Sequence, residues 1–171
     1  TISAVGSLSA SMVAGMAAQG QAILGGDMDF RLVHREASAS ELAWLKEQAQ
    51  LSRMATMRAM VRHSNDTLLV EAKAVDDVYP HYGEMTLSSG MSLAAALNVV
   101  DDPAGKIYGA VAEPDLFNRL DIAPGAIVQL GAIRVVLSDQ IASEPDRSAG
   151  GFPLAPRLML GFEGLRAAGL L

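Results

Sequence analysis

Between Glu113 and Leu137 the chain reads EPDLFNRLDIAPGAIVQLGAIRVVL, and this stretch restricts the fold more than any other. Pro114 stands where a helix begins, at a position whose missing N–H would have had no partner. Pro124-Gly125 marks a turn, and two β-rich runs pivot at Gly131. A helix, a turn and two strands follow one another closely, yet the segment holds no hydroxyl or thiol nucleophile, metal-ligand cluster or phosphate loop. So much architecture with so little chemistry points to a scaffold rather than an active site.

The flanking sequence supplies more of the same. Met28, Phe30, Leu32 and His34 alternate with Asp29, Arg31 and Val33, which predicts a strand. SASELAWLKEQA predicts a helix with Ser38 or Ser40 as N-cap, Glu41 in its first turn, and Leu42, Leu45 and Ala49 on one side with Trp44 beside them. LSRMATMRAMVRH fits two periods: Met54, Met57 and Met60 recur at helical spacing, whereas Arg58 and Arg62 alternate with Ala59 and Val61. A strand is preferred, because Ser64-Asn65-Asp66 then turns the chain into TLLVEAKAV as a hairpin. EMTLS is a short strand, Ser92 caps the brief helical run LAAALN, and Asp101-Asp102-Pro103 with Gly105 marks a turn into the strand KIYGAVAE. Beyond the polar stretch SEPDRSAGG, a strand over Arg157 to Leu160 leads into a final short helix. The order strand, helix, strand, strand, inserted β unit, strand, helix predicts an α+β fold, a sandwich split by a β-rich insertion.

Half of the 171 residues are hydrophobic and 19% are charged, so the chain is rich enough in apolar surface for one well-buried domain. A formal charge of -6 argues against a nucleic-acid binder, which needs clustered Lys and Arg. Arg53, Arg58 and Arg62 form the only basic cluster, and Met and Ala interleave them. Cysteine is absent, which removes disulfide and thiolate chemistry and is neutral between cytoplasm and periplasm. No charge occurs before Asp27, but Ser, Gln and Gly interrupt this opening too often for a membrane span, and it lacks the positive region of a signal peptide. Val5, Leu8, Met12, Met16 and Ile23 recur at helical spacing. The competing reading is a poorly ordered end of an excised fragment.

A Ser-His-Asp set can be written on paper, but no G-x-S-x-G elbow supports it. His34, His63 and His81 are far apart and lack the paired spacing of metal ligands. Met54, Met57 and Met60 could offer thioethers to Cu(I), although methionines more often fill cores or adaptable apolar grooves. Asp27 with Asp29, Asp76-Asp77 and Asp101-Asp102 read as turn formers rather than catalytic carboxylates. Gly25-Gly26 lacks phosphate-loop spacing and reads as a helix terminus. No catalytic, cofactor-binding or metal site is expected. Met28, Phe30, Met54, Met57 and Met60 remain as candidates for an apolar surface, with core packing as the competing fate of most.

Four ordered blocks, LGGDMDFRL, VEAKAVDDVYPHYGEMTL, VAEPDLFNRLDIAPGAIVQLGAIRVVL and SEPDRSAGGFPLAPRLML, together resemble the large periplasmic domain of an ABC-transporter permease of the FtsX-like, MacB-like group, nearest to its YbbP-type members. The resemblance covers the chain beyond Leu24. It implies a porter-like α+β part, 25–90 with 151–171, interrupted by a β-rich insertion, 91–150, and preceded by the end of a helical stalk, 1–24. Gly6, Gly15 and Gly20 depart from that expectation, each costing a helix about 1 kcal/mol against Ala. The resemblance further implies an inner-membrane protein with this domain in the periplasm, export or extraction of hydrophobic or lipid-linked cargo, and a cytoplasmic ABC ATPase partner that uses the ATP. A second permease domain or a second copy would face it. The alternatives are a free periplasmic lipid- or peptide-binding module and a small hydrolase.

Overall fold

The computed structural model describes residues 27–33, 35–147 and 155–170. The helix expected over 1–24 lies outside the described residues, as do His34 and the end of SEPDRSAGG. The chain divides into two compact units: Thr1–Leu51 with Pro80–Glu84 and Pro145–Gly151, and Ser52–Tyr79 with Met85–Glu144 and Phe152–Leu171.

In the first unit the expected helix, α1, runs over Ala39–Gln48. Ser38 is its N-cap in a reciprocal capping box: the Glu41 N–H donates to Ser38 Oγ at 3.2 Å, and the Glu41 carboxylate accepts the Ser38 N–H at 2.8 Å. Arg35 grips the same carboxylate with both terminal nitrogens at 2.8 Å. These bonds, Arg35 first and then the Ser38 N–H, lower the Glu41 pKa to about 2. No residue of α1 is buried, and Trp44 is exposed. The strand predicted from the alternation at 27–35 does not form at the described positions. Met28, Phe30, Leu32 and Val33 are all exposed, so the alternation has no buried face to serve, and no partner strand is paired with it.

The second unit is a mixed α+β structure dominated by one eight-stranded sheet. Its strands are β1 (Met54–His63), β2 (Asp66–Val75), β3 (Thr86–Leu87), β4 (Val99–Asp102), β5 (Gly105–Ala112), β6 (Ile127–Leu130), β7 (Ile133–Ser143) and β8 (Arg157–Gly161). Three short helices accompany them: α2 (Leu93–Ala96), α3 (Pro114–Leu120) and, after the last strand, α4 (Phe162–Ala167). The neighbours run β3-β7-β6-β1-β2-β8-β5-β4, and β5 also pairs with β7. That last pairing closes β7, β6, β1, β2, β8 and β5 into a six-membered ring. Two links of the ring are parallel, β2 with β8 and β5 with β7.

The hairpin expected at Ser64 is present, with His63 opposite Asp66 and Ser64 at a φ of 53°. The helix after Glu113, the turn at Gly125 and the pivot at Gly131 also stand where the sequence placed them. Gly131 adopts a φ of 54°, and a Cβ there would collide with the Ala168 carbonyl oxygen. Asp101 and Asp102 differ from expectation: they end strand β4 rather than forming the turn, which follows them.

The ring encloses one core. Ala59 and Val61, Val70, Ala72 and Ala74, Leu158 and Leu160, Ala110 and Ala112, and Val135 and Leu137 face inward, and Phe117 of α3 and Leu165 of α4 pack among them. Eight strands leave a barrel interior only just wide enough to fill with side chains, so a six-membered ring takes alanines on several strands. A register shift opposite Ala110 and Val111 then inverts the alternation of β7: Leu137 joins the core, whereas Asp139 pairs with Val111 on the outer side. A second apolar layer of Val75, Val111, Met159 and Ile141 lies there under Tyr79, Leu87 and Ala96.

The parts 25–90 with 151–171 and 91–150 do not form separate sheets. Val61 pairs with Leu130, and Ala110 pairs with Leu160, so both contribute to a single sheet and a single core.

Candidate functional site

The outer face of β2 carries the charge that its inner face excludes. With Val70, Ala72 and Ala74 turned inward, Glu71 and Lys73 must point outward. Parallel pairing sets Glu71 level with Arg157 on β8. Glu144 follows the last residue of β7 and completes a cluster. Its Oε1 accepts from Lys73 Nζ at 2.8 Å and from Arg157 Nη1 at 2.6 Å. Arg157 Nη2 reaches Glu71 at 2.6 Å, Lys73 Nζ donates to the Tyr79 hydroxyl at 2.9 Å, and the Glu113 carboxylate accepts the Arg157 backbone N–H at 2.8 Å. Lys73, Glu144 and Arg157 are buried. Coulomb attraction between such groups is largely offset by their desolvation, so the cluster fixes the relative position of β2, β8 and the end of β7 more than it adds net stability.

A second junction stands where the chain enters β1. The Asp76 carboxylate accepts the Arg53 N–H at 2.6 Å, the Ser52 hydroxyl at 3.0 Å and the Val78 N–H at 3.3 Å, while the Asp76 N–H donates to the Arg53 carbonyl. The Arg53 guanidinium lies 5.1 Å from the centre of the Phe162 ring, at the start of α4. The residues leading into β1, the residue that follows β2 and the start of α4 are therefore tied together.

Two further carboxylates hold loops to the sheet. Burial acts to raise the Asp139 pKa, but hydrogen bonds from the Ser89 hydroxyl, the Gln140 N–H and the Ser89 N–H outweigh it and hold the group below the usual value. Asp102 is also lowered, by Arg134 at 2.7 Å and then by the Ala104 N–H at 3.0 Å.

The sequence aligns over most of its length with a curated relative. The chain is 28% identical over 164 residues to the uncharacterized ABC transporter permease YbbP of Escherichia coli (strain K12). The chain is thus similar in sequence to an ABC transporter permease, which bears out the resemblance carried by the four sequence blocks. The match covers 92% of this chain and 18% of the relative, so the chain spans about a fifth of the curated permease. No family model matches. A solved structure, the extracellular domain of the noncanonic ABC-type transporter YknZ from Gram-positive bacteria, superposes on 67% of this chain and 55% of its own with a TM-score of 0.49 and 12% identity.

The chain does not gather the five candidate apolar residues in one place. Met28 and Phe30 are exposed in the first unit. In the second, Met54 and Met60 stand exposed on the outer face of β1, whereas Met57 packs half-buried against the core. Strand alternation sends a residue three positions on to the opposite face, so the three thioethers do not converge. His63 meets the Ile127 carbonyl at the hairpin end and His81 packs edge-on against Tyr82, each in its own unit. Sequence reasoning passed over Glu71, Lys73, Glu144 and Arg157. The available signal was a single cation inside the apolar runs VEAKAV and APRLML, which on a buried strand demands a buried partner.

Proposed function

We propose that this chain is the periplasmic domain of an ABC transporter permease subunit, and that it relays motion driven by a cytoplasmic ATPase partner, which consumes the ATP. The observation that carries this reading is the match of 92% of the chain to a small part of a permease. The remaining membrane-embedded parts would belong to the longer protein. Residues 1–24 would be the end of a helical stalk, and 25–90 with 151–171 would be the family's porter-like part, its β-rich insertion at 91–150 woven into the same sheet. The cargo in this reading is hydrophobic or lipid-linked, and the domain itself makes and breaks no bonds.

The geometry supports a mechanical role. A pull on the start of β1 would peel its ladder from β2 one hydrogen bond at a time, beginning with the pair Met54 and Val75. Asp76 stands at that end and clamps Arg53 and Ser52, so the load passes into the paired strands together. The ion cluster then couples β2 to β8 and to the end of β7. A closed ring leaves few unpaired edges along which to shear.

The placement is tested in the full-length protein, made otherwise free of cysteine, with the exposed Val100 replaced by Cys. A membrane-impermeant maleimide should label it in cells whose outer membrane alone has been opened. Labelling that requires lysis of the inner membrane would overturn the reading.

A further inference from the structure

The hairpin end of β1 and β2 bears a groove on its outer face. Val61 and Val70 point into the core, so Met60 and Arg62 of β1 and Thr67 and Leu69 of β2 point out. The register sets Arg62 level with Thr67 on one side and with Gln129 of β6 on the other, so three polar side chains stand abreast. Met60 lies two positions along the same face, the bare backbone of Gly131 lines the floor, and Leu170 closes the groove from the segment after α4. The Ala132 N–H donates to the Ala168 carbonyl at 3.2 Å and holds that segment against the β6–β7 turn. The groove is open to solvent and encloses about 530 Å³. Such a volume, with apolar walls and a few placed polar groups, matches a small-molecule site, and the methionine wall can adapt to a flexible tail.

Charge selects what the groove can take. The chain has 13 Lys and Arg residues and a formal charge of -6, so carboxylates are in excess. Most of its cations meet a carboxylate or an aromatic ring, as Arg134 meets Asp102 and Lys106 meets Glu163. Arg62 meets neither among the described residues, and no carboxylate lines the groove. The nearest carboxylate along β2, Glu71, stands opposite Arg58 and is held by Arg157. A free guanidinium beside an apolar wall suits an anionic head on an apolar tail, because its planar fork matches a carboxylate or phosphate oxygen pair. A peptide is less well served, since the Gly131 carbonyl already accepts the Gln129 side-chain amide at 3.1 Å and is lost as a backbone partner.

We propose that this groove binds a single-chain amphiphile with an anionic head, the head on Arg62 and the alkyl tail along Met60 and Leu170. The site belongs to the folded chain alone and does not rest on the transporter reading. For dodecanoate, with about 14 non-hydrogen atoms, the affinity falls in roughly the 0.1–1 mM range.

The test titrates the 171-residue chain, carrying carbon-13 methionine methyls, with dodecanoate below its micelle concentration. The Met60 methyl resonance should shift and saturate, while that of Met91, exposed outside the groove, should stay in place. Dodecyltrimethylammonium, the same tail under a cationic head, should bind roughly tenfold more weakly or worse, and Arg62→Glu should cost dodecanoate a similar factor. Arg58→Glu, outside the lining, should cost less. Circular dichroism checks the fold of each variant, and the comparison of the two heads on the parent chain decides if Arg62→Glu fails to fold. A Met60 methyl that stays in place, a Met91 methyl that shifts equally, or equal binding of the two heads would each overturn the proposal. So would Arg62→Glu binding as the parent does, or a chain that sediments with phosphatidylglycerol vesicles yet ignores dodecanoate, which would mark a membrane contact instead.

Discussion

Lys73 and Glu144 meet at 2.8 Å with their side chains 2% and 1% exposed, although 71 positions separate them in the sequence. Glu144 holds Arg157 with the same oxygen. Its other oxygen is buried with no hydrogen-bond partner, as is Arg157 Nε. One carboxylate oxygen thus bridges two cations, with Glu71 supplying the second negative charge at Arg157.

Replacing Glu144 by Ala should therefore destabilise the chain by about 3–5 kcal/mol, because both cations stay buried without their shared partner. The double variant K73M/E144A should be less destabilised than E144A, since it strands one cation fewer and Arg157 retains Glu71. Urea unfolding compares the two directly. Equal losses would show that Lys73 is not held by Glu144.

Asp76→Ala should cost about 2 kcal/mol, since the Arg53 N–H and the Ser52 hydroxyl lose a charged acceptor. Local opening should follow, with amide hydrogen exchange faster at the start of β1 and unchanged at its hairpin end. Uniform acceleration along β1 would show that Asp76 is no local clamp.

Gly131→Ala combines a left-handed backbone with a collision against the Ala168 carbonyl, whereas Gly125→Ala meets open space at a φ of 95°. Strain alone costs about 1–2 kcal/mol, so Gly131→Ala should lower the melting temperature more than Gly125→Ala does. The reverse order would show that the carbonyl yields easily.

Acid should loosen the loop held by Asp139. Its folded pKa lies below its unfolded value of about 4, so its contribution is complete above that pH and disappears as pH falls through the folded value. Asp139→Asn should therefore be less stable than the parent at pH 7, with the gap narrowing as the solution is acidified. A gap that widens in acid would reverse the sign assigned to the group.

Much of the second unit was legible because its boundaries are marked locally. Pro114, Pro124-Gly125 and Gly131 punctuate β5, α3, β6 and β7, and the Ser64 turn resolves β1 as a strand. The ring was not legible, because it closes through parallel pairings between β2 and β8 and between β5 and β7, whose partners lie far apart in sequence. Alternation at Met28 and Phe30 failed as a strand signal because a strand also needs a neighbour, which local periodicity does not supply. Of the apolar candidates, Met54 and Met60 shared a face once β1 was known to be extended, and the same geometry removed Met57 from it. The ion cluster escaped because its members come from β2, β8 and the end of β7, and no spacing rule joins them.

In the proposed function, ATP-driven changes elsewhere in a transporter move this domain while its eight-stranded unit keeps its shape. Spin labels at Val100 and Ile127, both exposed and in the same unit, measure its internal shape in the full permease reconstituted with its ATPase. A third label at the cytoplasmic side measures its displacement. Pulsed electron spin resonance should give the same Val100–Ile127 distance with and without ATP, while the distance from Val100 to the cytoplasmic label changes. An internal distance that shifts with nucleotide, or a domain that stays fixed relative to the membrane, would contradict the account.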